Sequence, residues 1–340
     1  MGKILVTGGT GYIGSHTVVE LQEAGYEVII IDDLSNSGIE VLDSIEKITG
    51  KKPEFEKFDL ANREKTFDFF MRQPGIEAII HFAASKAVGE SVEKPLHYYR
   101  NNLVSLMNLL ECQQKFDVPN IVFSSSCTVY GQPEKLPVTE ETPRKDAESP
   151  YGNTKRVNED IISDTIKANP QIKGIALRYF NPIGAHPSAL IGELPLGVPQ
   201  NLVPFITQTA AGLRDELKIF GDDYNTPDGS AIRDYINVVD LAKAHVVAIE
   251  RLLQKKFKNN YEVFNLGTGN GLSVLEIVKG FEKATGVKLN YKIVDRRPGD
   301  IEKIWADTTR ANEELGWKAE KELEETLLSA WEWEKKIRNI

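Results

Sequence analysis

Cysteine is scarce in this chain. Its 340 residues include two, Cys112 and Cys127, at a spacing unlike a metal site. That argues against a disulfide framework, fits a reducing compartment and leaves no metal centre to expect. Positive charge is also short, with 41 Lys and Arg against 50 Asp and Glu, a net charge of −9 and a pI near 5.3. A general nucleic-acid binder needs a basic face, so nucleic acid is not an expected partner. An anionic small molecule held by a few local arginines stays compatible with this balance. No apolar run approaches transmembrane length, and "MGKILVTGG" enters a short apolar stretch without a signal-peptide core. The expectation is a soluble, cytoplasmic protein with no membrane partner. Internal repeats and low-complexity linkers are absent too. What is present is a 41% hydrophobic fraction, ample for one large α/β domain or two unequal ones.

Short apolar runs alternate with helical patterns through the first half. "KILVTG" reads as a strand and "SHTVVELQEAG" as a helix closed by Gly25. "EVIIID" and "PEFEKFDL" read as strands, "NREKTFDFFMRQ" as a helix and "AIIHFAA" as a strand. A long helix lies within "PLHYYRNNLVSLMNLLECQQKF", and "NIVFSSS" and "KGIALRYF" are further strands. Such alternation predicts an α/β fold: a doubly wound parallel sheet of Rossmann type, covered by helices on both faces. After Phe180 the texture changes. "NPIGAHPSALIGELPLGVPQN" and "DDYNTPDGS" read as loops, while "YEVFNLGTG" looks like one more strand. The predicted division is a dinucleotide-binding domain over residues 1–180, with the sheet revisited near 235–268, and a smaller mixed α/β substrate-binding domain over residues 181–340.

"VTGGTGYIG" follows the first strand and opens the first helix. Gly8, Gly11 and Gly14 are spaced for a tight turn, for close approach of backbone to a pyrophosphate, and for helix–strand contact. The helix start, with Tyr12 and Ile13, offers free N–H groups and the positive end of a dipole. A glycine-rich turn without a ligand is the bland reading; the strand–turn–helix context favours the dinucleotide. Asp32 ends the second strand near the usual distance for a ribose-binding acid, about 20 residues after the glycines. Its carboxylate would accept from the adenosine ribose and repel a 2′-phosphate, so NAD is expected over NADP. Asp32 and Asp33 also suit an ordinary turn. Asp59, before Leu60, is placed near the adenine, and the small residues of "HFAA", with Phe82 and Ala83, let the chain pass close to a cofactor.

In "SPYGNTKRVNED" Tyr151 and Lys155 stand four residues apart, behind Ser149 as N-cap and Pro150 in the first turn. They share a helix face. Such a pair is commonly a surface contact. Ser126, at the carboxyl end of the fifth strand, changes the reading, because ligands of these sheets bind at that edge. Hydride transfer at a carbinol needs a base for the hydroxyl proton. A tyrosine serves near neutral pH if its pKa falls by roughly three units, about 4 kcal/mol. Lys155 and an oxidised nicotinamide would supply positive charge, and Ser126 would bond the same substrate oxygen.

"TGGTGYIGSH", "FSSSCTVYG" and "SPYGNTK" together resemble the extended short-chain dehydrogenase/reductase family. "HFAASKAVGESVEKPLHYYRNN", "LRYFNPIGAH", "IFGDDYNTPDGSAIRDYINVVDLA" and "RRPGD" before "WAD" narrow this to the UDP-glucose 4-epimerase family, over residues 3–335. The resemblance implies Tyr151 as catalytic base, Ser126 as its hydrogen-bonding partner and Lys155 as the lysine on the nicotinamide ribose. It implies Lys86 near the cofactor pyrophosphate and reaching the substrate, with Asn101 and Tyr179 as further cofactor neighbours. It implies UDP-sugar contacts from Asn181, Asn201, Leu202, Lys218, Phe220, Arg233, Arg297, Asp300 and Ile304. Guanidinium forks match diphosphate oxygens, although either arginine would also serve in a structural ion pair.

The implied reaction is reversible epimerisation of UDP-glucose and UDP-galactose at C4 of the sugar. Tyr151 takes the hydroxyl proton, C4 yields hydride to tightly bound NAD, the 4-keto sugar turns about its bond to the diphosphate, and hydride returns to the other face. The resemblance also suggests a homodimer through helices near 95–116 and 153–168. Ile304 would flank the sugar's C2 substituent, leaving room for the N-acetylated UDP-sugars where tyrosine would not. Two rival readings stand beside it. Related dehydratases carry an acid pair just after the strand-five serine or threonine, where this chain has Cys127 and Thr128; a decarboxylase belongs to the same group. A non-catalytic dinucleotide sensor would be expected to lose Tyr151 or Lys155, and both are present.

Overall fold

A computed structural model describes residues 2–297 and 300–340, so Pro298 and Gly299 within "RRPGD" lie outside the described residues. The first half alternates as β1 (Lys3–Thr7), α1 (Tyr12–Glu23), β2 (Glu27–Asp32), α2 (Val41–Thr49), β3 (Glu54–Lys57), α3 (Arg63–Arg72) and β4 (Ile76–His81). It continues with α4 (Val88–Glu93), α5 (Pro95–Lys115), β5 (Asn120–Ser126), α6 (Pro150–Ala168) and β6 (Lys173–Tyr179). The second half holds β7 (Asn181–Ile183), α7 (Leu202–Ala210), β8 (Leu217–Phe220), β9 (Ile232–Asn237), α8 (Val238–Leu253) and β10 (Tyr261–Leu266). It ends with β11 (Gly271–Ser273), α9 (Val274–Thr285), β12 (Tyr291–Val294), β13 (Lys303–Ile304) and α10 (Leu323–Arg338).

Seven parallel strands form the main sheet in the order β10-β6-β5-β4-β1-β2-β3. The chain winds outward from β1 to β3, then crosses back to β4 and runs the other way. This reversal opens a crevice at the carboxyl ends of β1 and β4, the place where such sheets bind ligands. Alternation along the strands builds a core on each face. Ile4, Val6, Val28 and Ile30 pack with Val18, Leu21 and Ile45 on one side. Leu5, Ile29 and Ile31 pack with Phe69, Leu109 and Ile162 on the other. Each such side chain contributes about 1.5–3 kcal/mol by leaving water.

The remaining strands form a small sheet, β11-β9-β13 with β7 also on β9, and a separate parallel pair, β12 and β8. Apolar residues of β7, β8 and β9 join those of α7, α9 and α10 in a third core. In the first half, α2 and α4 have no counterpart in the sequence reading, and neither do the second-half helices α7, α8, α9 and α10. At six residues, α4 is shorter than the window over which a 3.6-residue period shows. The "NPIGAHPSALIGELPLGVPQN" stretch is mostly irregular, with β7 at its start and one bridge between Ala185 and Gly192. Among the described residues, no helix is long and apolar enough to cross a membrane.

Candidate active site

The glycines after β1 are required by space and by backbone angle. Gly8 has φ +71, and a Cβ there would stand 2.7 Å from the backbone nitrogen of Ala83. A Cβ on Gly14 would press against the Gly8 carbonyl oxygen, with the Gly9 Cα at 2.9 Å. Gly11 is the N-cap of α1 and brings no side chain to its first turn, so the N–H groups there stay open to a ligand. Tyr12 ties this turn to the second half: its hydroxyl donates to the Gly184 carbonyl at 2.6 Å.

At the end of β2, Asp32 is buried and accepts from the Thr10 N–H at 3.2 Å and the Leu34 N–H at 2.9 Å. A carboxylate has about four acceptor positions, so capacity remains for a ribose hydroxyl. Asp33 is exposed and accepts from the Ser35 N–H at 2.8 Å, and exposed Asp59 accepts from the Ala61 N–H at 2.8 Å. The Leu60 side chain is buried while its carbonyl accepts from Asn108 at 2.7 Å. At the end of β4, the Phe82 N–H donates to the Thr7 carbonyl, and the Phe82 ring lies against His245 with centroids 4.7 Å apart. Asn101 donates to the Ser85 hydroxyl at 3.2 Å, on the loop that carries Lys86.

Helix α6 starts where its sequence dictates. Ser149 caps it by accepting from the Gly152 N–H, with Pro150 as the first helical residue. The buried Lys155 ammonium donates to the Ser124 carbonyl at 2.6 Å and stands 5.8 Å from the centre of the Tyr151 ring. Tyr179 hydrogen-bonds the Ser124 hydroxyl. Ser126, the last residue of β5, is buried and accepts from the Thr128 N–H at 3.2 Å. The triad thus meets at the carboxyl edge of β5 and β6.

The protein's own groups do not by themselves pull Tyr151 down. Burial pushes the Tyr151 phenol above its ordinary value, and the Ser126 side chain only partly opposes this. Burial pushes Lys155 down to about 7, against Glu159, which raises it. Desolvation disfavours the charged form of both groups and is the largest cause of each shift. Burial pushes the thiol of Cys127, also in the site, up to about 12.

Residues expected on the substrate are spread over five places. Arg233 pairs with Asp300 at 2.7 Å. The Arg297 guanidinium lies over the Phe220 ring at 5.6 Å, and Lys218 projects from β8 as an exposed neighbour opposite Lys292. Asn201, at the start of α7 beside Leu202, donates to Glu193 at 2.7 Å. Lys86 approaches the same Glu193 oxygen at 3.5 Å. Asn181 opens β7 opposite Tyr235. Ile304 is 1% exposed, in an apolar cluster with Cys127, Val129, Tyr130 and Phe180.

Sequence reasoning missed three supports. The Ser124 carbonyl anchors Lys155. Fully buried Asp234 accepts from the backbone of Thr268, Gly269 and Ala306, joining β9 to the turn after β10 and to the chain after β13. Glu193 gathers Lys86 and Asn201. "SSS" and "RDY" mark the first two only as polar residues in strands, and a loop glutamate carries no signal.

A family model described as GDP-mannose 4,6 dehydratase matches residues 5–329. The chain is 51% identical over 331 residues to the UDP-glucose 4-epimerase of Bacillus subtilis (strain 168), covering 97% of this chain and 96% of that one. A solved UDP-glucose 4-epimerase from Bifidobacterium longum, in complex with NAD+ and UDP, is 47% identical with a TM-score of 0.95, covering 99% of each chain. One from Stenotrophomonas maltophila, with NAD and formylated UDP-arabinopyranose, is 45% identical with a TM-score of 0.96, covering 100% of this chain and 99% of that one. Such identity along nearly the whole length, on a shared seven-stranded frame, means that this chain belongs to the UDP-glucose 4-epimerase family, within the extended short-chain dehydrogenase/reductases.

Proposed function

We propose that this chain interconverts UDP-glucose and UDP-galactose by inverting C4 of the sugar, with NAD held throughout. The observation that carries the reading is the meeting of Ser126, Tyr151 and Lys155 beside a glycine cradle at one sheet edge. The residues present fit NAD: Gly8 and Gly14 leave no room for a side chain, the first turn of α1 faces outward uncapped, and Asp32 keeps acceptor capacity. Gly8, Gly11, Tyr12, Ile13 and Gly14 would hold the pyrophosphate and Asp32 the ribose, with Lys155 on the nicotinamide side. Bound there, NAD supplies an acceptor and then a donor of hydride, and its positive charge favours the Tyr151 phenolate that burial alone resists.

Tyr151 takes the proton from the 4-hydroxyl and returns it after the sugar has turned. Ser126 orients the same oxygen. The UDP is held firmly, by Arg233, Arg297, Asn201 and Phe220, so the sugar is free to rotate. Residues 1–180, with the returning β10, serve the cofactor, and residues 181–340 mainly serve the UDP-sugar. Elimination chemistry is disfavoured because Cys127 and Thr128 offer no acid–base pair. A second copy is the proposed partner, through α5 and α6; Leu96 and Met107 on α5 are 76% and 42% exposed.

Purified protein should convert UDP-galactose to UDP-glucose without added cofactor, release NAD on denaturation, and scatter light as twice its 38.0 kDa. Absence of turnover would overturn the reaction, NADP or no nucleotide the cofactor, and a monomer the assembly.

Room for an acetamido group at C2 is a second proposed property, resting on Ile304. Its branched bulk lies close to the backbone and is shorter than tyrosine. A pocket of this kind discriminates weakly, by about 1–3 kcal/mol per methylene-sized difference. Wild type should therefore turn over UDP-N-acetylglucosamine, and Ile304→Tyr should lower kcat/KM for it more than for UDP-glucose. If Ile304 only packs in its apolar cluster, the two substrates will suffer equally.

A further inference from the structure

Glu193 sits in the irregular stretch between β7 and α7, yet its side chain is only 10% exposed. One oxygen, Oε1, receives both the Asn201 amide at 2.7 Å and the Lys86 ammonium at 3.5 Å. These two partners come from opposite halves of the protein: Lys86 from the loop after β4, Asn201 from the N-terminus of α7. Burial raises the Tyr12 phenol, and the Glu193 charge adds to that rise.

The position of Glu193 is built from behind. Its own carbonyl accepts from the Trp333 indole N–H at 3.0 Å. Gly192 leaves the space that the indole fills, since a Cβ there would collide with it. The Ala185–Gly192 bridge closes the loop, and the Ser329 hydroxyl of α10 accepts from the Ala185 N–H at 3.0 Å. Helix α10 thus fixes a single carboxylate at the junction of the two halves. An acidic side chain beside sites for two diphosphates would repel both ligands if it were free. Its charge is tolerable there because a cation and an amide already engage it.

We propose that Glu193 is a positioning residue for UDP-sugar binding, which holds Lys86 and Asn201 at one point so that the cofactor and substrate halves present their diphosphate contacts together. The inference rests on the epimerase reading above. A contact of this kind acts alike on bound substrate and on transition state, so its loss appears in KM before kcat.

The test is steady-state turnover of UDP-galactose by wild type, Glu193→Ala and Glu193→Gln, with NAD content and Tm measured on each. Glu193→Ala should raise KM about tenfold or more, the size of a lost charge-assisted hydrogen bond, with kcat within about twofold. Glu193→Gln keeps an acceptor for Asn201 and loses the charge that draws Lys86, so its KM should fall between the other two. Unchanged KM in Glu193→Ala, or a fall in kcat and Tm at constant KM, would overturn the proposal. An inactive wild type would instead overturn the epimerase reading.

Discussion

Tyr151→Phe should leave a folded protein that still binds UDP and still carries its dinucleotide, with turnover lowered about a thousandfold, within the range for a lost general base. The substitution removes one oxygen from a half-buried ring and leaves the helix cap at Ser149 and the Lys155–Ser124 bond untouched. The loss should be in kcat, because proton transfer occurs only on the way to the transition state. The site's electrostatics explain why the hydroxyl needs company. Burial raises the Tyr151 phenol and lowers Lys155 to about 7. A cation bound beside them supplies what the protein's own groups do not. Calorimetry with UDP, together with a turnover assay, checks both halves of the prediction. Activity within tenfold of wild type, or a large loss of UDP affinity, would remove Tyr151 from the role of base.

Gly14→Ala should cost the protein its bound dinucleotide. The added methyl would meet the Gly8 carbonyl oxygen, with the Gly9 Cα at 2.9 Å. Both are backbone atoms, so no flexible side chain can move aside; the turn itself must shift. Overpacking of this kind costs about 1–3 kcal/mol, a fall in Tm of several degrees. The shift also spoils the close approach that a pyrophosphate needs. Gly89→Ala is the control: nothing lies within 4 Å of its added methyl, and alanine favours the helix of α4. Nucleotide released on denaturation, measured by chromatography for both variants, decides the matter. A Gly14→Ala protein with full nucleotide content would show that the cradle is not where the dinucleotide binds.

The glycine loop and the Tyr151, Lys155 pair were legible because each depends on short-range geometry; Ser126, 25 residues before Tyr151, was reached through the strand edge it ends. A turn after a strand, an N-cap and an i,i+4 pair are written in adjacent residues. The strands β2 and β5 were legible at their observed bounds for the same reason. The partners of those residues were not. Arg233 and Asp300, both expected at a diphosphate, pair across 67 positions. Lys86 finds Glu193 across 107. Neither separation leaves any periodic trace.

Local chemistry, then, was determined by the sequence alone: which residues line the turn after β1, which side chains share a face of α6, and which strands alternate between two apolar layers. Backbone sterics and side-chain period act within a few residues, so those facts survive without a fold. The tertiary structure decided the rest. It chose the Ser124 carbonyl as the seat of Lys155, made Asp234 the knot joining β9 to two distant backbone segments, and set Glu193 between the two halves. It also buried the Tyr151 phenol, which raises it in the protein's own field. Those outcomes depend on sheet order and on how much water each group loses, and desolvation is a property of the packed whole.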